Sequence, residues 1–155
     1  MFDLNLPSYP HKIKLVDKKT MIFDEFRRCY VALTPEEWVR QHFCHYLCQE
    51  KHFPALRMAN EYSILLNGRK RRCDTVVFGA DMQVLCICEY KAPTVNINNE
   101  VFQQILRYHW ALQAKYLIVS NGLKHYACQI DYGQNKAVFL QEIPDYSNME
   151  ANIQP

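Results

Sequence analysis

Arg72-Cys-Asp-Thr-Val-Val-Phe-Gly-Ala-Asp-Met-Gln-Val-Leu-Cys-Ile-Cys-Glu-Tyr-Lys91 is the stretch from which the rest of the chain is read. Thr75 to Phe78 and Val84 to Cys88 are short runs of β-branched, aromatic and small apolar residues, separated by a Gly-Ala-Asp-Met-Gln turn and bounded by charge. That is the pattern of an antiparallel hairpin. With Asp81 and Met82 as a two-residue loop, facing positions have numbers that sum to 163, and Asp74 lies across from Glu89. Directly opposed Cβ atoms are about 4.5 to 5.5 Å apart. Side chains alternate along a strand, so Lys91 shares the face of Glu89 while Tyr90 points away. Two carboxylates and an amine converge where the apolar sheet stops. Such carboxylates repel unless a proton or a cation neutralises them, and hard divalent ions take oxygen ligands of this kind. A metal site held by Asp74 and Glu89 is the direct reading.

Upstream, Leu56 to Leu66 reads as a strand, and Asn67-Gly68 is the signature of a tight two-residue hairpin loop. Pairs then sum to 135, which sets Glu61 opposite Asp74 and makes a row of three acids across a meander. A single bulge would break that row, since one extra residue turns every later side chain to the other face. Glu61 is therefore either a further ligand or a solvated acid on a half-exposed strand. Arg69-Lys70-Arg71-Arg72 puts four positive charges immediately before Asp74. Beside a carboxylate site they could hold phosphodiester oxygens, and the alternative is a solubilising hairpin tip.

Downstream, Ala92-Pro93 ends the strand. A helix is expected from about Asn99 to Ala114, and Tyr116 to Ser120 reads as a buried strand stopped by Asn121-Gly122. Strand, helix and strand make a βαβ unit, so the last strand should run parallel to the one carrying Glu89. Gln104 and Tyr108, four apart, share one face of that helix. Tyr126 to Ile130 and Ala137 to Ile143 read as a closing hairpin. Before the meander, Thr34-Pro35-Glu36-Glu37 is a helix start with a capping-box spacing. The helix should run to about Lys51, with Trp38, Val39, Phe43, Tyr46 and Leu47 inward and Arg40, Gln41 and Gln49 outward.

An acid followed on the next strand by Glu-x-Lys is the pattern of the PD-(D/E)XK nuclease superfamily, which this chain resembles at Asp74, Glu89 and Lys91. Arg72-Cys73-Asp74, Glu89-Tyr90-Lys91-Ala92-Pro93 and Gln104-Ile-Leu-Arg-Tyr108 resemble more narrowly the N-terminal nuclease domain of type I restriction enzyme R subunits, over roughly positions 20 to 130. The resemblance implies a restriction-endonuclease-like fold: α/β, one domain, a central mixed sheet of an antiparallel meander plus a parallel βαβ strand, flanked by helices. It implies a Mg²⁺- or Mn²⁺-dependent endonuclease acting on DNA, with Asp74, Glu89, Lys91, Gln104 and Tyr108 at the active site. In that superfamily an acid on the first helix can approach the metal, which sets Glu37 between that role and simple capping. Cys73 stands where the superfamily's name has Pro. No Gly-x-x-x-x-Gly-Lys-Ser/Thr phosphate loop occurs in the chain, so an ATP-driven motor is not expected of it.

At 155 residues, 49% apolar and 22% charged, the chain has the composition of one globular domain. We expect an N-terminal arm at 1–20, a core at 21–143 and a loose tail at 144–155. A formal charge of +2 argues neither for nor against nucleic acid. Seven cysteines and no export signal suggest reduced thiols and a cytoplasmic location, with no membrane span. Cys44 and Cys48, one helical turn apart near His42, His45 and His52, raise a zinc site, against which stands the lack of a second Cys-x-x-Cys pair. A nuclease-like module that binds nucleic acid without cutting, or an accessory domain of a restriction system, is the alternative class. A separately encoded restriction subunit and a second copy of the chain are the further partners considered.

Overall fold

The computed structural model describes residues 2–66, 68–98, 101–102, 105–106 and 112–152. Among the described residues nine strands fall into two sheets. The smaller is an antiparallel meander of β1 (Ile13–Val16), β2 (Lys19–Asp24) and β3 (Cys29–Ala32). The larger takes the order β4-β5-β6-β7-β8-β9, from β4 (Met58–Leu66), β5 (Arg69–Phe78), β6 (Val84–Tyr90), β7 (Tyr116–Ser120), β8 (His125–Asp131) and β9 (Lys136–Phe139). β6 and β7 are parallel, with Cys88 beside Ile118, and every other neighbouring pair is antiparallel. The mixed sheet expected from the sequence, a meander extended by a parallel βαβ strand, is the sheet observed.

β7 shows why the domain has layers on both sides of this sheet. All five of its residues are buried, as befits an apolar strand covered on two faces. Tyr116 and Ile118 pack with Val39, Phe43, Cys44 and Leu47 of helix α1 (Pro35–Gln49). Leu117 and Val119 face the other way, onto Phe102 and Ile105 of the crossover. Phe102 and Ile105 are helical, as the βαβ reading requires. Gln104 and Tyr108 lie outside the described residues.

The β4–β5 register is the expected one, whereas the two-residue loop expected at Asp81 and Met82 is not observed. β4 and β5 pair from Leu66 with Arg69 to Met58 with Val77, all summing to 135. β5 and β6 start one step off, with Phe78 opposite Val84, and an irregularity between Val77 and Phe78 restores the sum of 163 for Val77, Val76 and Thr75. The expected pairing is thus reached through a longer turn and a bulge.

Two expectations are corrected. The small β1–β3 sheet contains, as β1, the short edge strand that Lys12 to Val16 could form, and its β2 and β3 stand where the arm is expected to run to residue 20 and where Met21 to Leu33 shows no clear period in sequence. Its positive-φ turn residues Asp17, Lys18 and Arg28 carry no Gly or Pro to announce the turns. Beyond Pro144 the chain is not a loose tail. A short helix, Tyr146–Ala151, buries Met149 completely, and Glu150 accepts from the Ala80 N–H at 3.1 Å. A six-residue helix anchored by Tyr146 and Met149 has too little periodicity to be seen in sequence.

Gly122 locks the first residues of the chain to the sheet. Its carbonyl accepts from the Asn5 N–H at 2.7 Å, its φ is +81°, and an added Cβ would sit 2.6 Å from Leu4 Cδ2. Gly122→Ala should therefore lower stability by about 1 to 3 kcal/mol, the usual cost of a non-glycine residue held in a sparse backbone region. Thermal unfolding with an unchanged far-UV spectrum would check this.

Candidate active site

Asp74 and Glu89 meet at the end of the β5–β6 ladder, one step beyond the Thr75–Cys88 pair. The carboxylate of Asp74 accepts from the backbone N–H of Tyr90 at 2.8 Å. The charge of Asp74 is near enough to Glu89 to oppose its ionisation. Two buried carboxyl groups so placed favour keeping a proton when no cation lies between them. Burial first, and then the Asp74 charge, push Glu89 from an ordinary 4.5 up to about 8, although Lys91 pulls in the other direction. Asp74 is raised as well, by burial, while the Tyr90 N–H, Arg40 and Lys91 oppose the shift.

The strand end is held rigidly from the opposite face. Tyr90 is fully buried, and its hydroxyl donates to Thr75 Oγ1 at 3.2 Å, which itself donates to Asn60 Oδ1 at 2.7 Å. The Lys91 N–H continues the parallel ladder onto the Ser120 carbonyl at 2.9 Å. With Tyr90 anchored inward, alternation leaves Glu89 and Lys91 on the Asp74 side. The ammonium of Lys91 is close enough to lower the titration of both acids and of Glu36.

Glu61 is in the predicted register but not in the predicted row. Asn60–Thr75 and Tyr62–Cys73 pair on either side of it, yet Glu61 itself is no partner of Asp74 and adopts φ +57°. Its carboxylate is drawn to arginines, pairing with Arg40 and Arg72 and standing 3.8 Å from Arg27. The kink at position 61 turns the side chain away from the acid pair and toward these cations. Its negative charge is still near enough to raise Asp74.

Glu37 has a similar fate. Thr34 caps the helix by accepting the Glu37 N–H at 3.0 Å, but the Glu37 side chain does not return to complete the box. At 4% exposure it is buried among Arg27 Nη2 at 2.8 Å, Gln41 Nε2 at 2.8 Å and Arg40. Arg40 and Gln41 are buried and inward, contrary to the outward placement expected from their polarity. Arg40 lies on the stripe with Cys44 and Leu47 at helical spacing, and its charge is matched by two acids. Burial works against the Arg40 charge, yet Glu61 and Glu37 more than offset this and hold it above its usual value.

The acid of α1 that senses the pair is its neighbour, Glu36. Partial burial and then the charge of Asp74 raise it, and Lys91 and Arg40 lower it. Sequence reasoning passed over it because the cap drew attention to Glu37. The available signal was spacing: Glu36, Arg40 and Phe43 fall on one helical face.

Arg69, Lys70, Arg71 and Arg72 are all exposed along the first half of β5. Lys70, Arg71 and Arg72 line a cleft of about 260 Å³ together with Ile64, Cys73 and Glu89. A path from a cationic wall to the acid pair is thus built into one strand. Cys44 lies in the core, its Sγ 3.7 Å from both Thr75 Oγ1 and Tyr90 Oη, and Cys48 Sγ is 3.6 Å from Met58 Sδ. The cysteines are packing groups, and the zinc reading is dropped. Among the described residues, no three of His, Cys, Asp and Glu form a ready-made ligand set. The Asp74–Glu89 pair still suits a hard divalent ion, because a pair that must otherwise retain a proton can exchange it for a cation.

That exchange sets a pH dependence. Between about pH 4.5 and 8 the folded chain keeps a proton on Glu89 that the unfolded chain has released, so stability falls as pH rises through this window. Glu89→Gln removes the titration and should be more stable than the parent at pH 8 but not at pH 4.5. Urea unfolding at the two pH values, without divalent ions, reads the difference.

Residues 35–144 match the family model for the type I restriction enzyme R protein N terminus, and the chain belongs to that family. Among solved structures it is similar to a fragment of a putative HsdR subunit of a type I restriction enzyme from Vibrio vulnificus YJ016. That match has a TM-score of 0.51 and 16% identity, covering 71% of this chain and 24% of the other. It shares the same restriction-endonuclease-like fold. The DrdV–DNA complex also matches, with a TM-score of 0.49 and 16% identity, over 79% of this chain and 12% of that one. The chain therefore spans about a quarter or less of either matched structure. No curated protein matches it. Among the described residues no helix is long and apolar enough to cross a membrane.

Proposed function

We propose that this chain hydrolyses phosphodiester bonds of DNA in a reaction dependent on Mg²⁺ or Mn²⁺. The observation that carries the reading is the placement of Asp74 and Glu89 side by side at the end of the β5–β6 ladder, with Lys91 following Glu89 on the same side of the strand. In this reading Asp74 and Glu89 hold the divalent ion, which supplies charge neutralisation at the phosphate and a more acidic water. Tyr90 keeps Asp74 aimed through its backbone N–H.

Lys91 has two tasks. Its ammonium orients the attacking water and stabilises the negative charge that develops on the phosphate oxygens. Glu36 stands by as a neighbouring acid, whereas Glu61 and Glu37 act through Arg40, by fixing the wall beside Asp74. The cationic strand Arg69 to Arg72 seats the flanking phosphates at the mouth of the cleft. Gln104 and Tyr108 are assigned to DNA or water positioning from the family resemblance alone.

Supercoiled plasmid incubated with the protein and Mg²⁺ or Mn²⁺ should be nicked, and chelation with EDTA should stop the reaction. A protein that binds the plasmid with a steep salt dependence but leaves it supercoiled under both metals would be a binding module, and the hydrolytic reading would be wrong. Separately encoded restriction subunits and a second copy of the chain remain the proposed partners, to be sought by co-purification and sedimentation. A cytoplasmic location is proposed on the same footing.

A further inference from the structure

The β1–β3 sheet precedes the family match, which begins at residue 35, and the hydrolytic reading makes no use of it. Its ladders define two faces. Ile13 pairs with Ile22 and Ile22 with Val31, while Lys14 pairs with Met21 and Met21 with Ala32. Ile22 and Asp24 look inward and are completely buried. Alternation then sends Lys14, Lys19, Phe23 and Tyr30 outward. Lys12 joins them, because its carbonyl accepts the Phe23 N–H at 2.9 Å.

On that outer face the cations surround two aromatic rings. Phe23 and Tyr30 meet edge-on with centroids 5.1 Å apart. Lys12 Nζ lies 5.5 Å from the first ring centroid and Lys14 Nζ 3.7 Å from the second. Arg28, exposed at the β2–β3 turn, joins Lys12, Phe23 and Gln49 around a cleft of about 490 Å³. Residues 12–32 contain six basic and three acidic side chains, and one of the acids, Asp24, is buried against Arg27. Among the exposed side chains Lys12, Lys14, Lys18, Lys19 and Arg28 outnumber Asp17 and Glu25, the latter also lining the cleft, so this surface carries a net positive charge although the chain as a whole is nearly neutral.

The sheet is also held firmly to the acid pair's surroundings. Arg27, from the β2–β3 turn, bonds Glu37 on α1 at 2.8 Å and approaches Glu61 on β4. Asn60 Nδ2 reaches Asp24 Oδ2 at 3.4 Å. A cationic face fixed in this way cannot drift relative to Asp74.

We propose that this outer face is a second DNA-contacting surface, on which Lys12, Lys14, Lys19 and Arg28 take phosphodiester oxygens of the duplex flanking the cleavage site. The inference rests on DNA being the substrate. Lysines are compact point charges on flexible stems, suited to phosphates rather than to base edges, so the contact is independent of sequence. Each phosphate contact contributes about 0.9 to the slope of log affinity against log salt.

The test compares the parent chain with Lys12→Gln/Lys14→Gln/Lys19→Gln/Arg28→Gln, in which the side-chain stems over the rings are largely kept. Anisotropy of a labelled duplex of about 30 base pairs is followed across a salt series, with Ca²⁺ in place of the catalytic metal, and plasmid nicking is measured in Mg²⁺. The expected result is at least a tenfold loss of affinity at moderate salt and a slope shallower by about 3.6, four contacts at about 0.9 each. Nicking at saturating protein should persist, and replacement of all three lysines by Arg should retain binding. Equal affinity and slope in the Gln variant and the parent would overturn the proposal while leaving the hydrolytic reading intact. Binding that weakens as expected in a parent chain that never cuts would uphold the surface and sink hydrolysis. A parent chain that does not bind DNA at all would overturn both.

Discussion

Plasmid nicking should fall to background in Asp74→Ala and by about 10² to 10³-fold in Lys91→Ala, with both variants still folded. The two losses have different origins. Asp74 lies across the end of the β5–β6 ladder from Glu89, so removing it leaves Glu89 without the second acid of the proposed cation site. Lys91 interacts with the acids electrostatically, and its proposed work is on charge that exists only in the transition state. Its removal should therefore lower kcat with little change in the DNA concentration that half-saturates the protein. A Lys91→Ala variant that loses DNA affinity but keeps its turnover would place the ammonium on the phosphate backbone instead.

Arg40→Ala should destabilise the fold by about 3 to 5 kcal/mol, the range for removing one partner of a buried ion pair. Glu37, at 4% exposure, and Glu61 both direct a carboxylate oxygen at this guanidinium. Without it, two negative charges lie close to Asp74 and Glu89 with only Arg27 and Arg72 to answer them. Because the cost comes from the stranded acids, Arg40→Ala combined with Glu37→Ala should cost clearly less than the sum of the single variants. Urea midpoints at pH 7 for the two singles and the double give the coupling. Strict additivity would mean that the pair contributes nothing as a pair.

The placement of Asp74 and Glu89 on adjoining strands was more legible than what supports them. Turn residues and alternation were enough to bring Asp74 and Glu89 together, since Gly68 and the apolar runs on β5 and β6 leave few registers open. The parallel placement of β7 followed from the βαβ pattern. What escaped was the direction of individual side chains where the backbone departs from regularity. Glu61 has the register of a ligand and the conformation of a kink, and no residue type near it signals φ +57°. Arg40 was read as a surface residue because charge normally marks the solvent face of a helix, and the acids that allow its burial come from elsewhere in the sequence. Glu36 and Glu37 differ by one position and about 100° around the helix, a distinction that a capping signal cannot make. Strands β2 and β3 were hidden for a related reason, as the turns of the β1–β3 sheet use Asp, Lys and Arg at positive φ where Gly or Asn would have been recognisable.

Anomalous scattering from crystals soaked in Mn²⁺ puts the direct question to Asp74 and Glu89. One strong peak should lie between their carboxylate oxygens at about 2.0 to 2.3 Å and vanish in Glu89→Gln crystals soaked identically. Fully occupied manganese elsewhere in the protein, with none between Asp74 and Glu89, would contradict the assignment.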